Sequence, residues 1–156
     1  MMREYDSDYP TVREDKKVEP MYRKPVAIRV GEIMSRSLIL FKRDEPVVNA
    51  ISALVKNKIT GAPVVDENQG LVGIISEKDI LKIAMNEAFF ETPLGQIDDY
   101  MSKNVIFISS DCSLFEIASL FSKHKIRRLP VVDNNKVVGI VSCKDVLTRL
   151  LTVLDG

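Results

Sequence analysis

Two short motifs in the chain place a serine three residues ahead of an aspartate, immediately before an apolar run: Ser76 with Asp79, and Ser142 with Asp145. At a helix start, such a serine accepts a hydrogen bond from the third amide while the carboxylate accepts one from the serine amide, closing a capping box. The same groups can also hold a ligand, because a carboxylate accepts from two sugar hydroxyls and helix-terminal N–H groups bind phosphate. The motif therefore supports both a structural and a ligand-binding interpretation.

Each serine follows a glycine and two branched apolar residues, the glycines being Gly73 and Gly139. A glycine in a strand often marks a place where a ligand or another backbone approaches closely, because it carries no side chain. Arg127 and Arg128 precede the second copy of the strands, and guanidinium groups match the geometry of phosphate oxygens. This context favours a site for a ribose phosphate. The alternative is an exposed arginine pair that makes surface salt bridges.

The whole pattern occurs twice, because the segment that starts at Pro63 returns at Pro130, after 67 residues. The same offset pairs other positions: Met34-Ser35 with Met101-Ser102, Asp44 with Asp111, and Ile59 with Ile126. After the first turn the offset falls to 66, since that turn is one residue longer in the first copy. The chain is therefore a tandem repeat, and a unit of about 55 residues is marginal alone. We expect two small units that share a core.

Each repeat is predicted to form a strand, a helix, two strands and a second helix, which is an α+β arrangement. In the first repeat, residues 37–41 have strand length, and Asp44 is expected to cap a helix with Pro46 in its first turn. The apolar face of this helix recurs in the second copy at the spacing i, i+3, i+4, i+7. Its members are Val47, Ala50, Ile51 and Leu54, then Leu114, Ile117, Ala118 and Phe121. Pro63 and Pro130 are expected to open a β-hairpin in each copy.

The last helix carries an apolar stripe of four leucines: Leu147, Leu150, Leu151 and Leu154. Such a stripe packs either into the core of its own chain or into the seam of a dimer, and the core is the more common fate. At the start of the first repeat, Val26, Ile28 and Val30 alternate, which predicts an extended segment followed by one helical turn.

The first 25 residues form a charged segment without periodicity, which is typical of a flexible leader. The alternative uses four large side chains to lay this segment against a neighbouring subunit: Tyr5, Tyr9, Met21 and Tyr22. The two repeats are predicted over residues 26–88 and 98–156, with a linker over residues 89–97.

The composition weakens several classes of function. Of the 156 residues, 46% are hydrophobic, but no apolar run approaches the roughly 18 residues that span a bilayer. The N-terminus lacks the apolar core of a signal peptide, so the cytoplasm is the expected location. The formal charge is zero, with 22 basic and 22 acidic residues. A nucleic-acid surface could be built on five basic residues: Arg127, Arg128, Arg23, Lys24 and Arg29. The balance of charge argues against it.

The remaining reactive side chains do not suggest catalysis. Cys112 and Cys143 lack both CxxC spacing and histidine partners, so we expect small, buried apolar residues rather than a zinc site. The single histidine, His124, lies between Lys123 and Lys125 at a helix end, where the helix dipole favours a solvated cation. We therefore predict that the protein is not an enzyme and uses no metal or catalytic cofactor.

The Met-Ser pair, the strand, the capped helix, the Pro-Val-Val-Asp hairpin and the Gly-h-h-Ser-x-Lys-Asp motif, where h is Ile or Val, recur in this order in both halves. Together they resemble two cystathionine-beta-synthase-type (CBS) domains, the tandem pair called a Bateman module, over about residues 30–154. The resemblance implies two β-α-β-β-α repeats packed with pseudo-twofold symmetry through three-stranded sheets, and pairs that commonly dimerise. The chain is similar to regulatory subunits of AMP-activated protein kinase and regulatory inserts of IMP dehydrogenase. In those proteins, clefts between the repeats bind adenine nucleotides or S-adenosylmethionine.

By this resemblance, Asp79 and Asp145 hold the ribose hydroxyls, while Ser76 and Ser142 contact ribose or phosphate. Two crossed clefts are implied, each combining one repeat's Ser-x-x-Asp motif with the other repeat's leading strand. The first cleft joins Asp79 to Arg127 and Arg128 and to the base edge of Asn104, Val105 and Ile106. The second joins Asp145 to Thr60, Gly61 and Ala62 and to the base edge of Ser37, Leu38 and Ile39.

Lys78 and Lys144 precede the two aspartates, where members of this family often carry a second serine or threonine. A lysine at this place favours phosphate, and we expect unequal clefts, the arginine cleft preferring charged nucleotides. The predicted function is a stand-alone regulatory module that binds AMP, ADP or ATP and signals to a partner protein in trans, as a homodimer. The alternatives are a dimerisation scaffold with no physiological nucleotide, and binding of S-adenosylmethionine.

Overall fold

The computed structural model of the protein describes residues 28–85 and 93–155. The predicted leader over residues 1–25 lies outside the described residues, as does part of the predicted linker. In chain order the elements are α1 (Val30–Ile33), β1 (Phe41–Lys42), α2 (Val47–Asn57), β2 (Gly61–Val65), β3 (Leu71–Ser76), α3 (Glu77–Ala84), a 3-10 turn (Ile97–Asp99), α4 (Leu114–Lys123), β4 (Arg128–Asp133), β5 (Lys136–Ser142) and α5 (Cys143–Asp155). The predicted order of helix, strand, strand and helix is present in both repeats, whereas a named leading strand is present only in the first.

Each repeat is built on an antiparallel hairpin, as the sequence predicts. In the first repeat, β2 pairs with β3, and β1 adds a parallel strand at the other edge of β2. In the second, β4 pairs with β5, and Ile108 forms a single parallel bridge to Val131 where the third strand belongs. Asn134 and Asn135 both adopt positive φ, 50° and 62°, in the tight turn between β4 and β5. Two left-handed residues match the twist of a hairpin, and asparagine tolerates this conformation.

The prolines stand inside the hairpin strands rather than at their first residues. Pro63 pairs with Ile74 and Pro130 with Ile140, each two residues after its strand begins. The Pro130 carbonyl accepts a hydrogen bond from the Ile108 amide at 3.1 Å. The missing proline N–H is tolerated here because the extra strand of each sheet is short and starts at or after this point.

The predicted strand over residues 37–41 is wrong except at its end, since only Phe41 and Lys42 belong to β1. Ser35 is bound to Ile140 of the other repeat through both backbone groups, at 2.8 and 3.0 Å. These two hydrogen bonds hold the chain beside β5, and the chain reaches the edge of β2 only at Phe41. The segment between them is irregular.

The expected cap of α2 is also wrong. The helix begins at Val47, with Pro46 in the capping position, and Asp44 is exposed outside it. The Val47 amide donates instead to the Gly95 carbonyl at 3.0 Å, so a backbone group from the segment between the repeats satisfies the helix start.

The two hydrophobic cores interlock the repeats. The first core contains Val47, Val64 and Ile75 of the first repeat, joined by Ile97 and Met101 from the segment that leads into the second. The second core contains Ile117, Leu129, Val131, Val141 and Val146, joined by Val30 and Met34 from the segment that leads into the first. Each leading segment therefore packs into the opposite core, which explains how two marginal units become one stable body.

The stripe of leucines on α5 does not lie in the core. Leu147, Leu150, Leu151 and Leu154 are 64%, 39%, 59% and 69% exposed. The helix turns a different face inward, on which Val146 is buried and Arg149 and Val153 are partly buried. The expectation of a core stripe is thus wrong. None of the helices in the described ranges is long and apolar enough to cross a membrane.

Candidate ligand site between the repeats

Both Ser-x-x-Asp motifs form capping boxes at helix starts. The Asp79 amide donates to Ser76 Oγ at 3.4 Å, and Asp79 Oδ2 accepts from the Ser76 amide at 2.9 Å. In the second repeat, the Asp145 amide donates to Ser142 Oγ at 3.2 Å, and Asp145 Oδ2 accepts from the Ser142 amide at 2.8 Å. The structural interpretation of the motif is therefore confirmed for both copies.

The two carboxylates nevertheless differ in what else they bind. Asp79 is buried, only 6% exposed, and also accepts from the Ser76 hydroxyl at 2.9 Å and the Ser102 hydroxyl at 3.4 Å. Asp145 is partly exposed, and within the described residues its carboxylate accepts only from the Ser142 amide. The role of Ser102 was not predicted, although the repeated Met-Ser pair was the signal that pointed to it.

The helix starts have fewer free N–H groups than a phosphate site built on them needs. The Glu77 amide donates to the Thr60 carbonyl at 2.9 Å, and the Cys143 amide donates to the Arg127 carbonyl at 3.0 Å. Together with the capping boxes, these bonds engage the first and third amides of both helices. Any phosphate bound here must be held mainly by side chains.

The space left by the glycines of the Gly-h-h-Ser motifs is filled by other residues of the chain and not by a ligand. A Cβ on Gly73 would stand 2.7 Å from Met101 Sδ and 2.9 Å from the Ser102 carbonyl oxygen. A Cβ on Gly139 would stand 2.5 Å from Met34 Sδ. The close approach was predicted, but the group that approaches is the Met-Ser segment leading into the other repeat.

One cleft of about 210 Å³ opens between the repeats. Its lining consists of five equivalent pairs from the two copies, with Ser76 and Ile126 in addition: Thr60, Gly61, Ala62, Pro63, Ile74 and Ser76 on one side, and Ile126, Arg127, Arg128, Leu129, Pro130 and Ile140 on the other. The 67-residue offset pairs Thr60 with Arg127 and Pro63 with Pro130, so the cleft lies on the pseudo-twofold axis.

The cleft combines residues that were assigned to two separate clefts. It brings Thr60, Gly61 and Ala62 together with Arg127 and Arg128, and Ser76 joins them. Asp79, Asp145, Ser142 and the two base-edge triplets (Ser37, Leu38 and Ile39; Asn104, Val105 and Ile106) are not among its lining residues. Both triplets lie in irregular segments, outside the named strands.

The chemistry of the cleft is cationic at the rim and apolar at the base. Arg127 and Arg128 are exposed, and the lining contains no acidic residue. Within residues 28–85 and 93–155, the ion pairs are those of Asp98 with Arg43 and Lys103, so the alternative of surface salt bridges for the two arginines is not supported there. Aliphatic side chains and two prolines supply a surface for a planar or apolar ligand group.

The other candidate reactive groups are not among the residues that line this cleft. His124 ends α4 in an exposed position, as predicted. Cys112 and Cys143 are partly exposed rather than buried, and burial of Cys112 against the second core raises the pKa of its thiol. In the described part of the chain, no three His, Cys, Asp or Glu side chains are grouped so as to hold a metal ion.

Two interlocked repeats with a cleft on their symmetry axis define a tandem-repeat module of the CBS type. The family profile described as CBS domain matches residues 30–86 and 97–152. The chain therefore belongs to the CBS domain family and contains a pair of these domains.

Solved structures of CBS pairs share this fold. CBSX2 in complex with AMP, a protein of Arabidopsis thaliana, is 32% identical with a TM-score of 0.72, over 81% of this chain and 98% of that one. The CBS pair of protein MJ0100, in complex with 5′-methylthioadenosine and S-adenosyl-L-methionine, is 34% identical with a TM-score of 0.67, over 81% of this chain and 97% of that one.

Among curated relatives, the inosine-5′-monophosphate dehydrogenase of Methanocaldococcus jannaschii is 30% identical over 132 residues, which is 84% of this chain and 25% of the relative. The chain spans between 23% and 50% of the length of the first three curated relatives that it matches.

Proposed function

We propose that the protein is a regulatory module that binds an adenine nucleotide, AMP, ADP or ATP, between its two repeats and signals to a partner protein in trans. The observation that carries the proposal is the axial cleft, in which Arg127 and Arg128 have no carboxylate partner among the described residues and lie beside an apolar lining. The AMP bound to CBSX2 supports this ligand class, while the complex of MJ0100 makes S-adenosylmethionine the alternative ligand.

The proposed binding mode assigns each part of the ligand to a chemically suited surface. The two guanidinium groups bind phosphate oxygens, which they match in geometry, and the aliphatic lining packs against the base. Asp145 does not line the cleft, so it accepts from the ribose hydroxyls only where the ligand extends beyond the lining. Of the two motif aspartates it is the better acceptor, because one of its carboxylate oxygens carries no hydrogen bond from the described residues. Lys78 and Lys144 are exposed in the first turns of α3 and α5, where they add positive charge.

The size of the cleft suggests how binding produces a signal. Its 210 Å³ is smaller than the roughly 300 to 1,000 Å³ of typical ligand pockets. A whole nucleotide therefore fits only if the repeats move apart or the ligand extends beyond the rim. In this proposal the ligand favours a more open arrangement of the repeats, and the partner protein distinguishes the two arrangements.

Thermal unfolding in parallel with AMP, ADP, ATP and S-adenosylmethionine tests the proposal. A ligand at 100 times its Kd adds about 2.7 kcal/mol, which corresponds to a rise in Tm of roughly 5 to 11 °C for a chain of this size. The variant R127A/R128A is expected to lose the shift for nucleotides. The variant K136A, which removes a cation at the distant β4–β5 turn, is the matched control and keeps the shift.

If no adenosine compound moves the Tm at millimolar concentration, the nucleotide proposal is wrong and the dimerisation scaffold takes its place. If S-adenosylmethionine alone raises the Tm, the alternative ligand is correct. If the shift survives in R127A/R128A, the ligand binds but not through these arginines.

We also infer that the partners include a second copy of this chain. The four exposed leucines of α5 form one stripe, and other exposed apolar side chains lie on α2, α3 and α4, among them Val55, Leu81 and Phe115. A continuous apolar stripe is unfavourable in water, and it is self-complementary when two copies of one helix meet across a twofold axis. A cytoplasmic location and the repeat boundaries at residues 26–88 and 98–156 remain parts of the proposal.

A further inference from the structure

The two Ser-x-x-Asp carboxylates are equivalent in sequence but not in surroundings: Asp79 accepts from the hydroxyl groups of Ser76 and Ser102, whereas no hydroxyl group of the described residues donates to Asp145. The Met-Ser segments pair with the opposite repeats in the same way: Ser102 exchanges backbone hydrogen bonds with Ile74 at 2.9 Å, and Ser35 does so with Ile140 at 2.8 and 3.0 Å. The backbone geometry is thus matched. The Ser102 hydroxyl reaches Asp79 Oδ1, whereas the Ser35 hydroxyl has no such bond to Asp145 among the described residues.

This difference decides which carboxylate is free to accept a hydrogen bond. Asp79 Oδ2 accepts from the Ser76 amide and the Ser76 hydroxyl, both at 2.9 Å, and Asp79 Oδ1 accepts from Ser102 at 3.4 Å. Both oxygens therefore accept at least one hydrogen bond, and the side chain is buried. Asp145 accepts through a single oxygen from the described residues and is partly exposed.

We propose that Ser102 determines the affinity of the first-repeat site by competing with the ligand's ribose hydroxyls for Asp79, so that the first ligand binds at Asp145. This inference rests on the proposed function, because it concerns the same ligand class. A ribose hydroxyl that approaches Asp79 Oδ1 competes with the Ser102 hydroxyl for that oxygen, whereas Asp145 has one oxygen that carries no hydrogen bond from the described residues. Displacement also loosens a contact between the repeats, since Ser102 belongs to the segment that leads into the second repeat.

The size of the effect follows from the strength of the bond that is displaced. A neutral donor to a carboxylate at 3.4 Å is a weak hydrogen bond, close to the lower end of what such bonds contribute. Removal of the Ser102 hydroxyl is therefore expected to strengthen binding at the Asp79 site by about threefold to tenfold. The same change at Ser35 is expected to leave both sites as they are.

Isothermal titration calorimetry with AMP tests the proposal on the wild type, S102A and the matched control S35A. The wild type is expected to show a tighter site that D145N removes. S102A is expected to strengthen the weaker site by about threefold to tenfold, and this gain is expected to vanish in S102A/D79N. Intrinsic unfolding curves of the variants check that each one is folded.

Three results overturn the inference. The first is an S102A titration that matches the wild type, and the second is loss of the tighter wild-type site on D79N; in both cases AMP binding itself stands. In the third, AMP gives no heat with any folded variant and no shift in Tm, which removes the proposed function and this inference with it.

Discussion

The sulfur of Met34 lies so close to Gly139 that a methyl group on that glycine would stand 2.5 Å from it. The equivalent pair, Met101 and Gly73, has the same relationship at 2.7 Å. In each case a methionine from the segment leading into one repeat covers the return strand of the other. These two contacts hold the repeats together, because each methionine also belongs to the opposite hydrophobic core.

We expect G73A to destabilise the protein by about 1 to 3 kcal/mol, the usual cost of forcing an extra methyl group into a packed interior. The new methyl would meet the Ser102 carbonyl oxygen at 2.9 Å as well as the methionine, and a backbone oxygen cannot move aside cheaply. Chemical denaturation of G73A, M101A and the double variant measures the coupling. Strictly additive losses would show that the contact between Gly73 and Met101 is unimportant.

The hydrogen bonds of the two capping boxes predict that removal of Asp79 and removal of Asp145 lower the free energy of unfolding by different amounts. D79A leaves the amide and hydroxyl of Ser76 and the hydroxyl of Ser102 without their acceptor in a buried place, so we expect a loss of about 2 to 3 kcal/mol. D145A removes one hydrogen bond at a partly exposed helix start and is expected to cost about 1 kcal/mol. Urea unfolding of both variants measures this difference. Equal losses would show that the burial of Asp79 has no energetic consequence.

Local features of the fold were predictable because the sequence pattern that indicates them occurs in both repeats. The hairpins, the apolar faces of α2 and α4 and both capping boxes depend on residues a few positions apart, and two independent copies agreed on each. Two of the wrong predictions involve partners that are distant along the chain. Asp44 is not a cap because the Gly95 carbonyl occupies that role, and residues 36–40 are irregular because Ser35 is tied to Ile140.

The candidate site shows the same division. Arg127 and Arg128 were chosen for their chemistry and Thr60 through the family resemblance, and all three line the cleft. Their meeting in one axial cleft depends on how the repeats pack, which no spacing along the chain reveals. The occupation of Asp79 by Ser102 is likewise a contact over 23 residues. Sequence periodicity therefore identified the groups, and only the packing showed which of them are free.

Asp133 predicts a dependence of stability on pH. Its carboxylate accepts from the hydroxyl and the amide of Ser110 and from the Ser109 hydroxyl, and these hydrogen bonds hold the pKa of Asp133 below its ordinary value of 3.8. Because the folded pKa is the lower one, the stabilisation is fully present above about pH 3.8 and is lost as the pH falls through the folded pKa.

We therefore expect D133N to be less stable than the wild type at pH 7, by roughly 1 kcal/mol, and the gap to narrow below pH 3.8. Thermal unfolding of both proteins from pH 7 to pH 3 measures this difference in stability and its change with pH. S110A keeps the carboxylate of Asp133 but removes the Ser110 hydroxyl that donates to it. The difference in stability between S110A and the wild type is therefore also expected to become smaller as the pH falls below 3.8. A gap for D133N that stays constant with pH would contradict this account.

The exposed stripe on α5 leads to a prediction about assembly. If two copies meet through Leu147, Leu150, Leu151 and Leu154, a charge placed in the stripe must be buried at the seam without a partner, which costs several kcal/mol. We expect the wild type to sediment as a species of twice the 17.6 kDa chain mass and L151E to sediment as a monomer.

T152E, which adds the same charge beside the stripe on an exposed position of the same helix, is expected to remain dimeric. The exposure of Leu151 already in the single chain means that L151E should leave the unfolding midpoint of the monomer nearly unchanged, so loss of the dimer is distinguishable from loss of the fold. A monomeric wild type, or an L151E variant that still dimerises, would place the seam elsewhere on the helical surface.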